Sequence, residues 1–303
     1  MRIAAIDLGS NTFHLIIAEC LENDFEIIFK TNKPIKLSED ITKENRIIPA
    51  AFHRGLACLL EFKSILDTYQ VDKLKAVATS AVRSAKNGEE FVNTVKQLTN
   101  IDIDNISGEE EATLIFESVK ASGAIQGRAL IMDIGGGSTE FIFCDEKKAY
   151  WKKSYDIGAA RLMQKFFKSD PINRIEIAQI QEHLAANLSE LITFNETFGA
   201  ETLIGSAGAF ETYLEMTEPH IDLEKIKSTT IDWKAYKTLS QNLIDATHKE
   251  RSLMPNLTPL RVDMIVMATI QTNFILQNLA IEKISMTTYD LKYGILHKIC
   301  KTN

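Results

Sequence analysis

IAAIDLGSNTFHLIIAE, Ile3 to Glu19, and ALIMDIGGGSTEFIF, Ala129 to Phe143, are two copies of one pattern. Each is an apolar strand, then Asp-x-Gly followed by small polar residues, then a second apolar strand. That is the signature of a β-hairpin with a turn rich in Gly, Ser, Thr and Asn and an aspartate at its mouth. Glycines leave backbone N–H groups bare, so an anion such as a phosphate oxygen can approach closely. The side chains of Ser10, Asn11, Thr12, Ser138 and Thr139 add polar groups beside Gly135, Gly136 and Gly137. Asp7 and Asp133 would repel a phosphate but suit a hard cation or its water shell. A repeated hairpin implies a duplicated domain, with phosphates gripped in a cleft between the halves.

Size and composition agree. A chain of 303 residues accommodates two ordinary domains. A hydrophobic share of 45% and a charged share of 25% are those of a globular protein. No apolar run reaches the roughly 18–20 residues of a membrane helix. The first such run, Ile3–Ile6, is broken by Asp7 and does not resemble a signal peptide, so a cytoplasmic protein is expected. The four cysteines, Cys20, Cys58, Cys144 and Cys300, stand singly and read as reduced thiols. The six histidines show no His-x-x-x-His spacing, which argues against zinc. The net charge of −7 argues against a nucleic-acid binder. A phosphate-chain ligand would need local arginines, main-chain donors and divalent metal to overcome that field.

Between and beyond the hairpins the pattern alternates. Strands are expected at Glu26–Lys30, Leu74–Ala78, Ile101–Ile106, Glu201–Ile204 and Ile284–Thr287. Helices are expected at Pro49–Tyr69, Phe91–Leu98, from Ser107 onward, from Asn173 to about Thr197, and at Trp233–Lys249, Arg261–Leu279 and Leu291–Ile299. Ser107 with Glu110 forms a capping-box pattern. Phe166, Phe167, Met264 and Met267 are expected in the core. The loop through Gly123–Gly127 marks the domain boundary, giving domains 1–124 and 125–303.

Several familiar sites are absent. There is no Gly-x-x-x-x-Gly-Lys-Ser/Thr phosphate loop and no Gly-x-Gly-x-x-Gly opening a helix after a strand. Ser206 lacks the preceding glycine of a nucleophile elbow, since Ile204 stands there.

Taken in order, DLGSNTFHL, ATSAVRSAKN, SGEEEA, DIGGGSTE, GAARL (Gly158–Leu162), GSAGAFET, RVD (Arg261–Asp263) and LKYGIL resemble the exopolyphosphatase and guanosine pentaphosphate phosphatase family. The resemblance runs from residue 3 to about 296. It implies the actin-like superfamily fold: α/β, two ribonuclease-H-like domains with mixed five-stranded sheets around a central cleft. The closing helix, about 291–299, would pack back on the first domain. Longer members carry further C-terminal helical domains, so this chain resembles the short, two-domain form.

The resemblance also assigns roles. Glu109, Glu110 and Glu111 open a helix, where acids are favoured by its dipole. Glu109 and Glu110 need no other account. Glu111 falls about 100° further round and matches the family's catalytic base. Arg83 matches a phosphate-clamping arginine; the plain alternative is a surface arginine. Asp133, Glu140 and Asp7 are the implied metal carboxylates, against plain readings as turn caps or a solvated strand residue. Gly205, Ser206 and Gly208 match a small-residue loop near a phosphate, or else form only a tight strand-to-helix turn. Gly158–Arg161 would shape the second domain's end of the channel, or else Arg161 caps a helix.

The implied activity is Mg²⁺-dependent hydrolysis of a terminal phosphoanhydride, with Mn²⁺ as a substitute metal and a monovalent cation as a candidate activator. Inorganic polyphosphate of short or medium length is the expected substrate and guanosine pentaphosphate the alternative. A homodimer would extend the substrate groove. A superfamily kinase or ATPase, and a non-catalytic polyphosphate or alarmone sensor, are the competing readings.

Overall fold

The computed structural model describes residues 1–22, 24–40 and 44–301. It divides into two units, one comprising Met1–Ser118 with the segment from Leu291 onward, the other Val119–Asp290.

In the first unit, β1 (Arg2–Leu8), β2 (Thr12–Cys20) and β3 (Phe25–Pro34) form an antiparallel meander. Helix α1 (Pro49–Thr68) then crosses over to β4 (Lys73–Ala78), parallel to β1. Two further helices, α2 (Ser80–Ser84) and α3 (Gly88–Thr99), lead to β5 (Ile103–Asn105), parallel to β4. The sheet order is β3-β2-β1-β4-β5. β1 reads as a near-continuous apolar run because both its faces are covered; Ile3, Ala4, Ala5, Ile6 and Leu8 are fully buried. Pro49 starts α1 at a position whose N–H would have no helical partner anyway. Buried Ala51, Gly55, Leu59, Phe62 and Leu66 form its inner stripe. A Cβ on Gly55 would meet the Phe91 ring at 2.8 Å, so α1 and α3 touch there.

Next comes α4 (Gly108–Ser122), and the expected capping box is present. Ser107 N–H donates to Glu110 Oε2 at 2.8 Å, while Glu110 N–H donates to Ser107 Oγ at 3.2 Å. The unit's last helix, Leu291–Lys301, presses Gly294 onto the backbone of α4: an added Cβ would lie 2.2 Å from Leu114 O. The bond between Cys20 and Cys300 ties that helix to the end of β2. This corrects the expectation of four reduced thiols, because cysteines distant in sequence can share a sheet end that spacing does not reveal. Cys58 and Cys144 are free and buried, and burial pushes both thiols up to about 12.

The second unit repeats the first plan. β6 (Ala129–Ile134), β7 (Thr139–Cys144) and β8 (Ala149–Tyr155) form the meander. Helices α5 (Ala159–Phe166) and α6 (Arg174–Phe198) lead to β9 (Thr202–Ser206), parallel to β6. Asn173 caps α6, its side chain accepting from the N–H groups of Ile175 and Glu176. After β9 come α7 (Gly208–Thr217), β10 (Ser228–Ile231), α8 (Trp233–Asp245), α9 (His248–Arg251), α10 (Pro259–Val262), α11 (Ile265–Asn278) and β11 (Ile284–Thr287).

The sheet order is β10-β11-β9-β6-β7-β8. Five of its strands repeat the first sheet's order, and β10 adds an antiparallel edge beside β11. The second sheet therefore has six strands rather than the expected five. The strand STTI has no apolar alternation to announce it, because only Ile231 faces the core. Two expected helices are also broken. Trp233–Lys249 stops at Asp245, and Thr247 with Glu250 caps a new short helix. Arg261–Leu279 divides into α10 and α11. Met267 is buried, and Phe166, Phe167 and Met264 pack around the same core. Among the described residues no helix is long and apolar enough to cross a membrane.

Candidate active site

The two hairpins have the same register. Leu8 pairs with Phe13 and Ile134 with Thr139, leaving Gly9–Thr12 and Gly135–Ser138 as matching turns. In each turn the first glycine permits a close approach by the carbonyl three residues on. A Cβ on Gly9 would lie 2.8 Å from Thr12 O, and one on Gly135 would lie 3.0 Å from Ser138 O. Gly135 N–H closes the second turn by donating to that same oxygen at 3.0 Å.

Cross-strand neighbours differ. Asp7 stands opposite His14, whereas Asp133 stands opposite Glu140. Directly opposed residues share a face of the sheet, so the second hairpin alone presents two carboxylates together. Ser206 Oγ donates to Asp133 Oδ2 at 2.8 Å, and Ser154 Oγ donates to Glu140 Oε1 at 2.6 Å. Glu140 is 2% exposed, which corrects the plain reading of a solvated strand residue. Among the described residues no three His, Cys, Asp or Glu side chains gather as a protein-only metal cage. Asp133 and Glu140 fit a hard cation that keeps several ligand positions for water and phosphate, as Mg²⁺ does. Asp7 belongs to the first unit.

The turn hydroxyls do not share one fate. Thr139 is fully buried and its Oγ1 donates to Gln271 Oε1 at 3.0 Å. Its expected role as a phosphate donor is therefore corrected: as the first residue of β7 it faces the core. Ser138 is buried within the turn itself. In the first turn the carbonyls of Ser10 and Asn11 accept N–H groups from residues 35–38, and Ser38 Oγ donates to Asn11 Oδ1 at 3.3 Å. Thr12 opens β2 and is half-buried.

Arg83 and Glu111 meet. Arg83 Nη1 donates to Glu111 Oε2 at 3.0 Å and to Ile106 O at 3.0 Å. Glu111 is only 7% exposed, so it is not on the solvated face of α4. This charge-assisted contact uses one of the roughly four acceptor directions of a carboxylate and orients the group. Among the described residues nothing accepts from Arg83 Nε or Nη2, which leaves one edge of the guanidinium fork to an anion. The sequence assigned these two residues separate roles; their pairing was not visible in it.

The segment Gly205–Gly208 is the β9-to-α7 turn. A Cβ on Gly205 would penetrate the Phe210 ring at 1.8 Å, so packing alone explains that glycine. Gly208 has φ of +56° and follows Ala207 at +43°, two successive positive φ values where the chain enters α7. Ser206 is the member of this loop that touches another site residue, Asp133. Sequence reasoning missed Arg261. Its Nη1 would lie 3.8 Å from a Cβ on Gly208, placing a half-buried cation beside the same loop. The quoted RVD was the only signal for it.

Comparison with known proteins finds relatives in sequence and in fold. The model of the Ppx/GppA phosphatase family matches residues 16–303. A putative exopolyphosphatase of Haemophilus influenzae is 26% identical over 300 residues, covering 99% of this chain and 92% of that protein. A guanosine-5'-triphosphate,3'-diphosphate pyrophosphatase of Aeromonas salmonicida is 27% identical over 99% of this chain, which spans only 60% of that protein's length. A crystal structure of an exopolyphosphatase from Cytophaga hutchinsonii superposes with a TM-score of 0.96 at 32% identity, covering 100% of this chain and 98% of that one.

Proposed function

The chain belongs to the Ppx/GppA phosphatase family, and on that premise we propose that it removes the terminal phosphate from inorganic polyphosphate by hydrolysis of the phosphoanhydride. The observation that carries this reading is the second hairpin. A glycine turn suited to phosphate is flanked by two carboxylates, Asp133 and Glu140, suited to the metal that accompanies phosphate. The resemblance to exopolyphosphatases over nearly the whole chain supports the choice of polyphosphate.

Hydrolysis forms one bond between water oxygen and the terminal phosphorus and breaks the bond to the bridging oxygen. In this reading Glu111 takes the proton from the attacking water. Arg83 holds that carboxylate in place and offers its remaining N–H groups to the terminal phosphoryl oxygens. The turn amides are donors suited to phosphoryl oxygens, and the reaction requires the attacking and leaving oxygens to stand in line. The departing chain accepts a proton from solvent. Asp133 and Glu140 would hold Mg²⁺, which when bound supplies positive charge against the leaving phosphate. Ser10, Asn11 and Thr12 of the first turn would line the phosphate path, and Asp7 before that turn would suit a metal ion or its water shell. With a net charge of −7, distal phosphates are poorly favoured. Short and medium chains are therefore the preferred substrates, shortened distributively.

One experiment separates the alternatives. Phosphate release is measured from tripolyphosphate, long polyphosphate, guanosine pentaphosphate and ATP, each with Mg²⁺ and with a chelator. Metal-dependent release from polyphosphate without ATP, with a ladder of shortened intermediates on a gel, is the expected result. Faster release from guanosine pentaphosphate would move the substrate assignment. Binding without any release would make the protein a sensor, and transfer from ATP to an acceptor would make it a kinase.

A further inference from the structure

The first turn of a helix has N–H groups with no helical acceptor, and a side chain at the N-cap ordinarily takes one of them. Helix α5 has glycine at its N-cap and no side-chain cap. Its opening N–H groups go instead to the carbonyls of the phosphate turn. Gly158 N–H donates to Gly137 O at 3.2 Å and Ala159 N–H to Gly135 O at 2.9 Å. Ala160 and Arg161 N–H both donate to Gly136 O, at 3.0 and 3.1 Å. Arg161 adds Nε–H to Gly137 O at 3.0 Å, and its Nη2 lies 3.4 Å from Asp156 Oδ1.

In a planar trans peptide the C=O and the N–H point in opposite directions. The Gly135 carbonyl shares its peptide with Gly136 N–H, the Gly136 carbonyl with Gly137 N–H, and the Gly137 carbonyl with Ser138 N–H. None of these bonds is cis. Drawing three successive carbonyls toward α5 therefore turns three successive amides away from it. Among the described residues, nothing accepts from those three N–H groups. Consecutive outward amides form a concave anion nest.

We infer that Gly158 and Arg161 are positioning residues: they orient the Gly136, Gly137 and Ser138 amides toward a phosphoryl group without touching it. Gly158 is required for space. A Cβ there would lie 2.5 Å from the carbonyl carbons of both Gly136 and Gly137 and 2.6 Å from Gly136 O, so the turn's backbone would have to move. Arg161 acts through Nε, which holds the third carbonyl. The inference rests on the reading of this turn as a phosphate site.

The test uses backbone amide resonances and steady-state kinetics on the full chain. Adding inorganic phosphate to the wild-type protein is expected to shift the Gly136, Gly137 and Ser138 amides. Gly158→Ala should abolish those shifts and lower kcat/KM for tripolyphosphate by about 10²-fold, the scale of a misplaced reacting group. Arg161→Gln, which leaves Gly158 in place, should move the turn amides in the ligand-free protein and lower kcat/KM about tenfold, the scale of one lost charged hydrogen bond. That loss should persist at high salt, whereas a direct charge contact with substrate would fade. If Gly158→Ala fails to fold, Arg161→Gln decides alone. Wild-type amides unmoved by phosphate, or Arg161→Gln matching wild type in amide shifts and kinetics, would overturn the inference. Amides that respond to phosphate in a protein that releases none from polyphosphate would instead defeat the proposed function and leave the positioning role standing.

Discussion

The two hairpins share register, turn length and first glycine, yet they are supported differently. In the second, the N-terminus of a helix holds the carbonyls of Gly135, Gly136 and Gly137. In the first, a loop does less of the same work: Ile35 and Lys36 N–H donate to Asn11 O, and Ser38 N–H donates to Ser10 O. By the same peptide geometry the first turn has the Asn11 and Thr12 amides oriented and the second has three. The acids differ too. Asp133 faces Glu140, while Asp7 faces His14. Two turns of one pattern thus differ in their surroundings, and facing carboxylates accompany only the second. In the proposed reading the first unit's chemical contribution lies away from its turn, where α4 places Glu111 against Arg83.

That division of labour is broken most directly at Glu111. Glu111→Gln keeps the shape and a hydrogen-bond acceptor for Arg83 but cannot take a proton. Turnover on tripolyphosphate is expected to fall at least about 10²-fold with KM little changed. Turnover close to wild type would place the base elsewhere, and the first unit would then contribute its turn and Arg83 alone.

The carboxylate pair is tested through metal demand. Glu140→Gln retains the contact with Ser154 but removes one of the two facing charges. The Mg²⁺ concentration for half-maximal activity should rise by about tenfold or more, and Ser154→Ala should move it the same way by less. His14→Gln, the matching change in the first hairpin, should leave the Mg²⁺ requirement alone. Equal shifts from both hairpins would erase the asymmetry argued above.

Arg83→Lys sharpens the account of the first unit. Lysine keeps the charge beside Glu111 but has no planar fork to serve a carboxylate and a phosphate together. Activity should fall about tenfold, the scale of one lost charged hydrogen bond. Unchanged kinetics would mean that Arg83 serves Glu111 alone.

Much of this was legible in the residues, for identifiable reasons. Hairpins announce themselves because a tight turn demands glycine and a buried strand demands an apolar run, and both demands are local. The capping box at Ser107 is legible for the same reason. What the sequence hid is non-local. The contact of Glu111 with Arg83 crosses from α4 to α2, and the Thr139 hydroxyl is taken up by Gln271 on α11. The bond between Cys20 and Cys300 joins the two ends of the first unit. β10 escaped because a short Ser/Thr edge strand carries no alternation. GAARL was read as a family mark and as a shaper of the channel's end, with no partner named for it. Its physical role appears once α5 is seen to cap itself on another strand's turn.

Glu110 gives the smallest expected effect and separates it from its neighbour Glu111. Its carboxylate is held below the usual value of 4.5, first by the backbone N–H of Ser107 and then by that residue's hydroxyl. A folded-state value below the unfolded one means the ionised cap favours folding above the unfolded value, and that this benefit disappears as pH falls through the folded one. Glu110→Gln can still accept from Ser107 but lacks the charge that suits a helix N-terminus. The midpoint of thermal unfolding should therefore drop slightly at pH 7. The gap from wild type should close as pH falls through that lowered folded-state value, where the wild-type carboxyl is itself protonated. Turnover should stay at the wild-type level, because Glu110 faces solvent at the helix start while Glu111 is buried against Arg83. A loss of turnover comparable to that of Glu111→Gln would show that the helix start, rather than one carboxylate on it, carries the effect.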